Sequence, residues 1–224
     1  MQQLSIIHPL FGTGLQVPGL IAVICADGIV CSGGRVHEYI HESDRSEVHD
    51  LVDRARSRDR QAFARLFALL YDRIYRVVLG RLGSPQDAEE VADDVFVAVW
   101  RKLPGYEWTG APFVSWVLRI AHLEASDRLR RLQRHPRDMA AVEDSDLGVA
   151  DPSIERHADL DELTTAMQQL PDRYRQVLAL RFWGGLTAEE AGNVLDMTAG
   201  NVRQLQLRAL RQLHELVAGK EEAA

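Results

Sequence analysis

Between residues 50 and 134, apolar side chains recur every three or four positions, which is the spacing of successive amphipathic α-helices. The apolar face of the first is formed by Phe63, Leu66, Phe67, Leu70, Ile74, Val77 and Val78. Ser84 and Pro85 predict the N-cap and first turn of the next helix, which Pro104 and Gly105 end. A third helix is predicted from Pro112 to about residue 134. Each helix can bury only one face, so the three must pack into a helical module.

A second set of helical signals begins near residue 160. Pro171-Asp172 opens a helix that ends at Gly184-Gly185, and Thr187-Ala-Glu-Glu190 has the pattern of a capping box. A short helix, a tight turn at Asp196 and a final helix capped by Thr198 follow. This order predicts a helix-turn-helix. Gly192 is expected where the two helices pack closely, since glycine otherwise costs about 1 kcal/mol in a helix.

These patterns predict an all-α fold of two small helical domains joined by a flexible acidic linker, with the helix-turn-helix in the second domain. We place the first domain at residues 49–137, the linker at 138–159, the second domain at 160–218 and a tail at 219–224. Residues 1–48 have weak periodicity. They stay unassigned, as a disordered leader, a short hairpin or sequence upstream of the true start.

The net charge of −7 conceals an uneven distribution along the chain. Residues 54–137 carry a net charge of +6, whereas residues 138–171 carry −8. Cys25 and Cys31 have no partners at the spacing of a structural zinc site, so no metal or cofactor is expected. The longest apolar run is interrupted by Pro18 and Asp27, and no basic N-terminus precedes it. These features predict a cytoplasmic protein without a membrane-inserted segment.

The final helix presents the strongest candidate site. Asn201, Arg203, Gln204, Arg208 and Arg211 share its solvent face, and no acidic residue lies between Thr198 and His214. Arginine, asparagine and glutamine are the side chains that recognise base edges in the major groove, and further cations bind phosphates. A helical hairpin with a solvated basic face remains the alternative.

Two further features lie in the first domain. Arg128, Arg130, Arg131, Arg134 and Arg137 follow the aromatic residues Tyr106, Trp108, Phe113 and Trp116, a combination that suits a strand with exposed bases. The alternative is a set of core aromatics beside a solvated basic helix end. The second helix has acids between Asp87 and Asp94 beside Phe96 and Trp100, which form either a docking face or a solvated face.

Taken together, the motifs over about residues 50–217 resemble sigma factors, which bring bacterial RNA polymerase to promoters. The segment 87–101 resembles their polymerase-binding helix, the segments 113–121 and 127–131 their promoter-melting helix, and the segments 170–178, 185–190, 200–203 and 208–210 their upstream-element reader. With no module between the two domains, the chain is most similar to the compact extracytoplasmic-function type of the sigma-70 family.

The resemblance implies a role for each group of residues. Core polymerase would bind Asp87, Glu90, Asp93, Asp94, Phe96 and Trp100. The minus-ten strand would be opened and bound by Tyr106, Trp108, Trp116, Arg119, Arg128, Arg130 and Arg131. The minus-thirty-five element would be bound by Thr198, Asn201, Arg203, Gln204, Arg208 and Arg211. The acidic linker would run towards the RNA exit path, and an anti-sigma factor is an expected partner.

Two positions depart from the family pattern. Leu123 stands where the family often has asparagine, and Asp196 stands where the turn usually has glycine. Aspartate tolerates left-handed backbone, so the turn can still form.

No catalytic constellation, phosphate-binding glycine loop or small-molecule site is visible in the sequence, which favours a binding protein over an enzyme. A sigma mimic that binds an anti-sigma factor and a one-component helix-turn-helix regulator remain alternatives.

Overall fold

The computed structural model describes the backbone of residues 16–17, 20–25, 28–32, 42–134 and 164–221, with side chains over 47–134 and 164–216. The chain divides into two compact units, Met1–Glu38 and Tyr39–Ala224. The first contains an antiparallel sheet of β1 (Gln16–Val17), β2 (Leu20–Cys25) and β3 (Gly28–Ser32) in sequence order. A short hairpin was one of the possibilities left open for residues 1–48. The prediction of helical domains applies to the second unit, and it is confirmed there.

Four helices form the first module of the second unit: α1 (Glu42–Arg56), α2 (Arg60–Leu82), α3 (Pro85–Lys102) and α4 (Phe113–Arg134). Asp59 caps α2 by accepting hydrogen bonds from the backbone N–H groups of residues 61 and 62, at 2.9 and 3.1 Å. Ser84 caps α3 by accepting from the N–H of Asp87 at 3.2 Å, with Pro85 in the first turn as predicted. A 3₁₀ turn (Leu103–Gly105) ends α3.

The core of this module lies between α2, α3 and α4, because their apolar faces can be covered only by one another. Leu66 and Ile74 on α2, Val95 on α3, and Val117 and Leu118 on α4 are almost completely buried. The predicted third helix thus begins at residue 113 and supplies the inner wall of the core.

The second module is built around the helix-turn-helix. Helical residues 164–168 precede α5 (Asp172–Leu178), which continues as a π-helical segment (Ala179–Trp183). α6 (Ala188–Leu195) and α7 (Ala199–Glu221) complete the module. A small core of its own contains Ala166, Met167, Leu170, Leu178, Ala209 and Leu213. The acidic linker, predicted at 138–159, falls outside the described residues.

The two helical modules pack directly against each other, which the sequence did not predict. Val177, Leu180 and Val194 of the second module belong to the same apolar cluster as the core of α2, α3 and α4. Gly80 makes this approach possible, since a Cβ atom there would lie 1.8 Å from Cζ3 of Trp183. One apolar cluster therefore spans both modules, beside the smaller core within the second module.

Arg81 is the charged residue at the centre of this packing, with 5% of its surface exposed. Its Nη1 donates to the backbone oxygen of His122 at 2.7 Å, and its Nε lies 3.4 Å from Oδ1 of Asp172. Burial lowers the pKa of Arg81, and the carboxylate of Asp172 opposes that change. One guanidinium thus joins α2, α4 and α5, because a buried charge needs several hydrogen-bond partners.

We expect the protein to lose stability as the pH falls from about 6.5 towards 4, because His122 is neutral when folded. Burial, and then the charge of Arg81, lower the pKa of His122 from 6.5 to about 4. The unfolded chain binds this proton below pH 6.5 and the folded protein only near pH 4, so acid favours unfolding. At about 1.4 kcal/mol per pKa unit, the loss has an upper limit of about 3.5 kcal/mol, reduced by solvent screening.

The measurement is the urea midpoint between pH 7 and pH 4. His122→Asn keeps an acceptor for the Arg81 guanidinium, 3.3 Å from the imidazole Nδ1, but does not titrate in this range. Its midpoint should therefore fall less with pH than that of the unchanged chain. Identical pH dependence in the two proteins would show that other groups cause the acid sensitivity.

Candidate nucleic-acid interface

The helix-turn-helix geometry is set by three local features. The Thr187 side chain accepts from the N–H of Glu190 at 3.2 Å, while the Glu190 carboxylate accepts from the N–H of Thr187 at 2.7 Å, so the predicted capping box is present. Asp196 takes the left-handed conformation, with φ of 53°, that the turn requires. A Cβ at Gly192 would lie 2.5 Å from the backbone oxygen of Met197, which confirms the close approach predicted there.

The solvent face of α7 carries the predicted contact residues. Thr198 caps the helix by accepting from the N–H of Asn201 at 3.2 Å. Val202 and Ala209 are buried beneath the helix. The predicted side chains Asn201, Arg203, Gln204, Arg208 and Arg211 are all exposed, and Leu207, which is 48% exposed, lies among them. An acid-free helix face with three arginines and two amides matches the chemistry of major-groove recognition.

The arginines at the basic end of α4 point in different directions. Arg131 is exposed, and Arg130, also exposed, pairs with Asp127 one turn away. Arg128 instead turns towards α3, where its Nε donates to Oδ1 of Asp87 at 2.9 Å and its Nη2 lies 2.9 Å from Oε2 of Glu90. A predicted DNA-binding residue thus pairs with two predicted polymerase-binding residues.

Arg119, also predicted at the minus-ten strand, reaches across to the helix-turn-helix. Its Nη1 donates to the backbone oxygen of Asn193 at 2.6 Å, and its Nη2 lies 3.1 Å from Oδ1 of Asp196. In this arrangement its guanidinium binds the turn between α6 and α7. Sequence patterns gave no sign of this pairing, because the partners are more than seventy residues apart.

The loop between the 3₁₀ turn and α4 forms an aromatic cluster around a cavity. Tyr106 is buried, and its ring lies 4.8 Å from that of Trp116 and 5.2 Å from that of Trp108, both of which are half-buried. A cavity of about 270 Å³ is lined by Gly105, Tyr106, Glu107, Thr109, Ala111, Pro112 and Trp116. The loop thus offers aromatic walls and a small polar rim, which suit a planar ring.

The outer face of α3 combines acids with exposed apolar groups. Asp93 and Asp94 are exposed, whereas Phe96 is buried and therefore contributes to the core beneath them. Trp100 is half-buried, with the Arg58 guanidinium 5.0 Å from its ring centre. Val97, which the sequence reasoning missed, is 58% exposed. Its exposure could not be foreseen, because a lone valine fits the apolar pattern of a helix.

Next to this face, an aromatic row along α2 extends the apolar surface. The rings of Phe67 and Phe96 lie 4.6 Å apart, and those of Tyr71 and Phe96 lie 5.9 Å apart. Burial, and then the nearby carboxylates of Asp93 and Glu89, raise the pKa of Tyr71. Phe67 is 36% exposed, so apolar and acidic groups meet on one accessible surface. Such mixed surfaces are typical of protein interfaces.

Over residues 42–134 and 164–221, no helix is both long and apolar enough to cross a membrane. Over residues 47–134 and 164–216, whose side chains the structure describes, no group of three or more histidine, cysteine or acidic side chains could hold a metal ion.

Two family models match the chain in the order in which the modules occur. Sigma-70 region 2 matches residues 66–135, and Sigma-70 region 4 matches residues 166–215. The first match covers α3, α4 and the aromatic loop, and the second covers the helix-turn-helix. The candidate surfaces described above therefore lie almost entirely within the matched segments.

Curated relatives and solved structures agree with these matches. The chain is 36% identical to the ECF RNA polymerase sigma factor ShbA of Streptomyces griseus over 79% of this chain and 98% of ShbA. It is 27% identical to the ECF RNA polymerase sigma factor BldN of Streptomyces coelicolor, over 79% and 68% of the two chains.

Among solved structures, CnrH in complex with the cytosolic domain of CnrY has a TM-score of 0.60 at 22% identity, over 77% of this chain and 98% of CnrH. RpoE of Bartonella quintana, in complex with the anti-sigma factor NepR, has a TM-score of 0.56 at 20% identity, over 70% and 96%. These two structures share its fold. The family is shown by the ShbA match and by the order of the two sigma-70 regions: the chain belongs to the extracytoplasmic-function family of RNA polymerase sigma factors.

Proposed function

We propose that this sigma factor binds the upstream promoter element through α7, the melted minus-ten strand through the aromatic loop and α4, and core polymerase through the outer face of α3. The acid-free, solvent-exposed face of α7 within a complete helix-turn-helix carries the proposal. The protein acts by binding and not as an enzyme, and it works in the cytoplasm, where core polymerase and DNA are found.

Upstream recognition rests on the side chains that α7 leaves exposed. Arg203 and Arg208 lie in the part of α7 between Thr198 and His214, which contains no acidic residue, so they attract the phosphates and the guanine edges of a duplex. Asn201 and Gln204 lie beside them and can form paired hydrogen bonds with adenine. This set provides both affinity and sequence preference.

Strand binding rests on the aromatic cavity of the loop. Trp116, which is half-buried, offers a ring against which an unpaired base can stack, and one such contact contributes about 1–3 kcal/mol. The buried Tyr106 lines the same cavity and packs against Trp116. Arg130 and Arg131 are exposed at the end of α4, where phosphates of the same strand can be bound. Arg119 and Arg128 support the same role only if they leave their present carboxylate partners.

Polymerase binding rests on the face formed by Asp93, Asp94 and Val97. Exposed acids steer a basic partner towards the surface, and the exposed valine and the half-buried Trp100 offer apolar area for contact. Asp87 and Glu90, which are paired with Arg128, are placed to fix α3 against α4. Phe96 supports this face from the core.

An anti-sigma factor is a further proposed partner. In the solved complex of RpoE, an anti-sigma factor is bound to a chain of the same fold. The mixed acidic and apolar face of α3 and α2 offers such a regulator a binding surface, and regulation by occlusion follows if the regulator and polymerase compete for it.

Run-off transcription with purified core polymerase tests the function as a whole. The chain should bind core polymerase and yield a discrete transcript from promoters identified by mapping transcript starts after overexpression. A one-component regulator would bind DNA without core polymerase. A sigma mimic would bind an anti-sigma factor and yield no transcript.

Asp94→Arg should weaken core binding by about tenfold, because it replaces an exposed attractive charge with a repulsive one. A pull-down with core polymerase at moderate salt gives the affinity. Glu215→Arg is the matched control, since it makes the same change of charge at an exposed site far along the chain. Equal weakening by both variants, or by neither, would contradict a specific contact at Asp94.

A further inference from the structure

α1 lies beside the aromatic loop and precedes the segment that the Sigma-70 region 2 model matches, which begins at residue 66. Leu51, Val52 and Ala55 are buried, and through them α1 packs on α2 and on the 3₁₀ turn at the start of the loop. The helix is thus anchored on one side and presents its other side chains near the loop.

Two of those side chains hold Trp108. The imidazole of His49 lies parallel to the indole, with 4.1 Å between ring centres and 6° between planes. The indole Nε1–H donates to Oδ1 of Asp53 at 3.2 Å. His49 and Asp53 are one helical turn apart, and Nδ1 of His49 lies 3.4 Å from Oδ2 of Asp53. We call these three interactions the α1–Trp108 contact.

The α1–Trp108 contact fixes both properties that orient a tryptophan. Stacking sets the plane of the ring, and the single N–H donor sets its rotation within that plane. Trp108 in turn meets Tyr106 edge to face, 5.2 Å between ring centres, and Tyr106 packs against Trp116. The orientation of Trp108 therefore determines how Tyr106 is packed and, through Tyr106, how Trp116 is placed at the cavity.

His49 also covers one face of the Trp108 ring, so that face is not open to a base. Tyr106 and Trp116 line the cavity, and Trp108 is not part of its lining. This placement separates the roles of the loop aromatics: Tyr106 and Trp116 line the site, and Trp108 supports it.

We propose that His49 and Asp53 are positioning residues, which hold Trp108 so that the loop keeps the shape that receives an unpaired base. This inference rests on the proposed function and assigns to α1 a part in binding the minus-ten strand. The stacking on His49 and the hydrogen bond to Asp53 involve side chains that are partly exposed and lie outside the core. Losing either interaction should therefore alter the loop and leave the core of the module intact.

The test uses full-length protein assembled with core polymerase and a single-stranded minus-ten oligonucleotide as probe. His49→Ala and Asp53→Ala should each weaken strand binding by about tenfold, the size of one lost stacking contact. His49→Phe restores stacking and Asp53→Asn restores an acceptor for the indole, so both should recover most of the affinity. Asp50→Ala, an exposed acid on the same helix, is the matched control and should bind normally.

Core binding and near-ultraviolet circular dichroism give the second readout. The alanine variants should bind core polymerase normally and change the tryptophan signal, whereas the Phe and Asn variants should restore it. Unchanged strand binding by both alanine variants would overturn the proposal. Tighter binding by His49→Ala would also overturn it, because it would show that the imidazole occupies the place of a base.

The proposed function and the role assigned to α1 predict different results in this experiment. If the unchanged chain joins neither core polymerase nor the oligonucleotide, the proposed function is wrong, and the role of α1 falls with it. If the unchanged chain binds both and the alanine variants match it, only the α1–Trp108 contact loses its assigned role.

Discussion

Replacing Arg203 and Arg208 together with alanine should reduce promoter affinity by at least tenfold and make the remaining binding less sensitive to salt. Each bidentate contact between arginine and guanine contributes about 1–3 kcal/mol, and each neutralised phosphate adds about 0.9 to the slope of log affinity against log salt. Both side chains are exposed on the acid-free face of α7, so their removal leaves the buried Val202 and Ala209 in place.

The measurement is binding of the polymerase holoenzyme to a promoter duplex over a salt series, with an intact and with a scrambled upstream element. Arg60→Ala with Arg65→Ala is the matched control, because it removes two exposed positive charges from α2. The control should keep the preference for the intact element. If the α7 variant also keeps that preference and its full salt slope, the assignment of α7 is wrong.

Gly80→Ala should destabilise the folded chain by about 1–3 kcal/mol, the usual cost of overpacking, although alanine favours helix by about 1 kcal/mol over glycine. The cost of the clash can be separated from the gain in helix propensity, because the added Cβ clashes with a single side chain. The added Cβ would meet the ring of Trp183 in the second module. A loss of stability on substituting glycine inside a helix is therefore a direct sign that the modules are packed together.

A double-mutant cycle in urea isolates this contact. Trp183→Ala alone should destabilise the chain by several kcal/mol at most, since large aromatic truncations cost about 3–5 kcal/mol when fully buried and this ring is half-buried. In the Trp183→Ala background, Gly80→Ala should become neutral or stabilising, because the obstacle is gone. Additive effects of the two substitutions would show that the residues do not meet in solution.

The helices and their ends could be predicted because their causes are local. Ser84, Thr187 and Thr198 each accept a hydrogen bond from a backbone N–H within three residues, so the sequence alone contains both partners. The turn at Asp196 and the close approach at Gly192 follow from backbone conformation and from the absence of a side chain, which are also local properties. These features define the helix-turn-helix.

The arrangement of the modules could not be predicted in this way. Gly80 and Trp183 are about a hundred positions apart, and neither has a neighbour in sequence that indicates the other. The same reason explains the predicted DNA contacts that the structure pairs within the protein. Arg119 and Arg128 are of a residue type expected at a DNA site, but tertiary packing places the carboxylates of Asp196 and Asp87 next to them. The basic face of α7 stays exposed because its helix packs through the opposite side.

The apolar cluster that spans both modules sets a thermodynamic condition on promoter recognition. Elements named for positions minus ten and minus thirty-five are centred about 25 base pairs apart, or about 85 Å at about 3.4 Å per base pair. Two domains in direct contact cannot span that length of duplex. Only molecules in which the two modules have separated from each other can therefore bind both promoter elements at once. The apparent affinity is the intrinsic affinity multiplied by the fraction of such molecules. A partner that binds the two modules separately, and so holds them apart, would restore the intrinsic affinity.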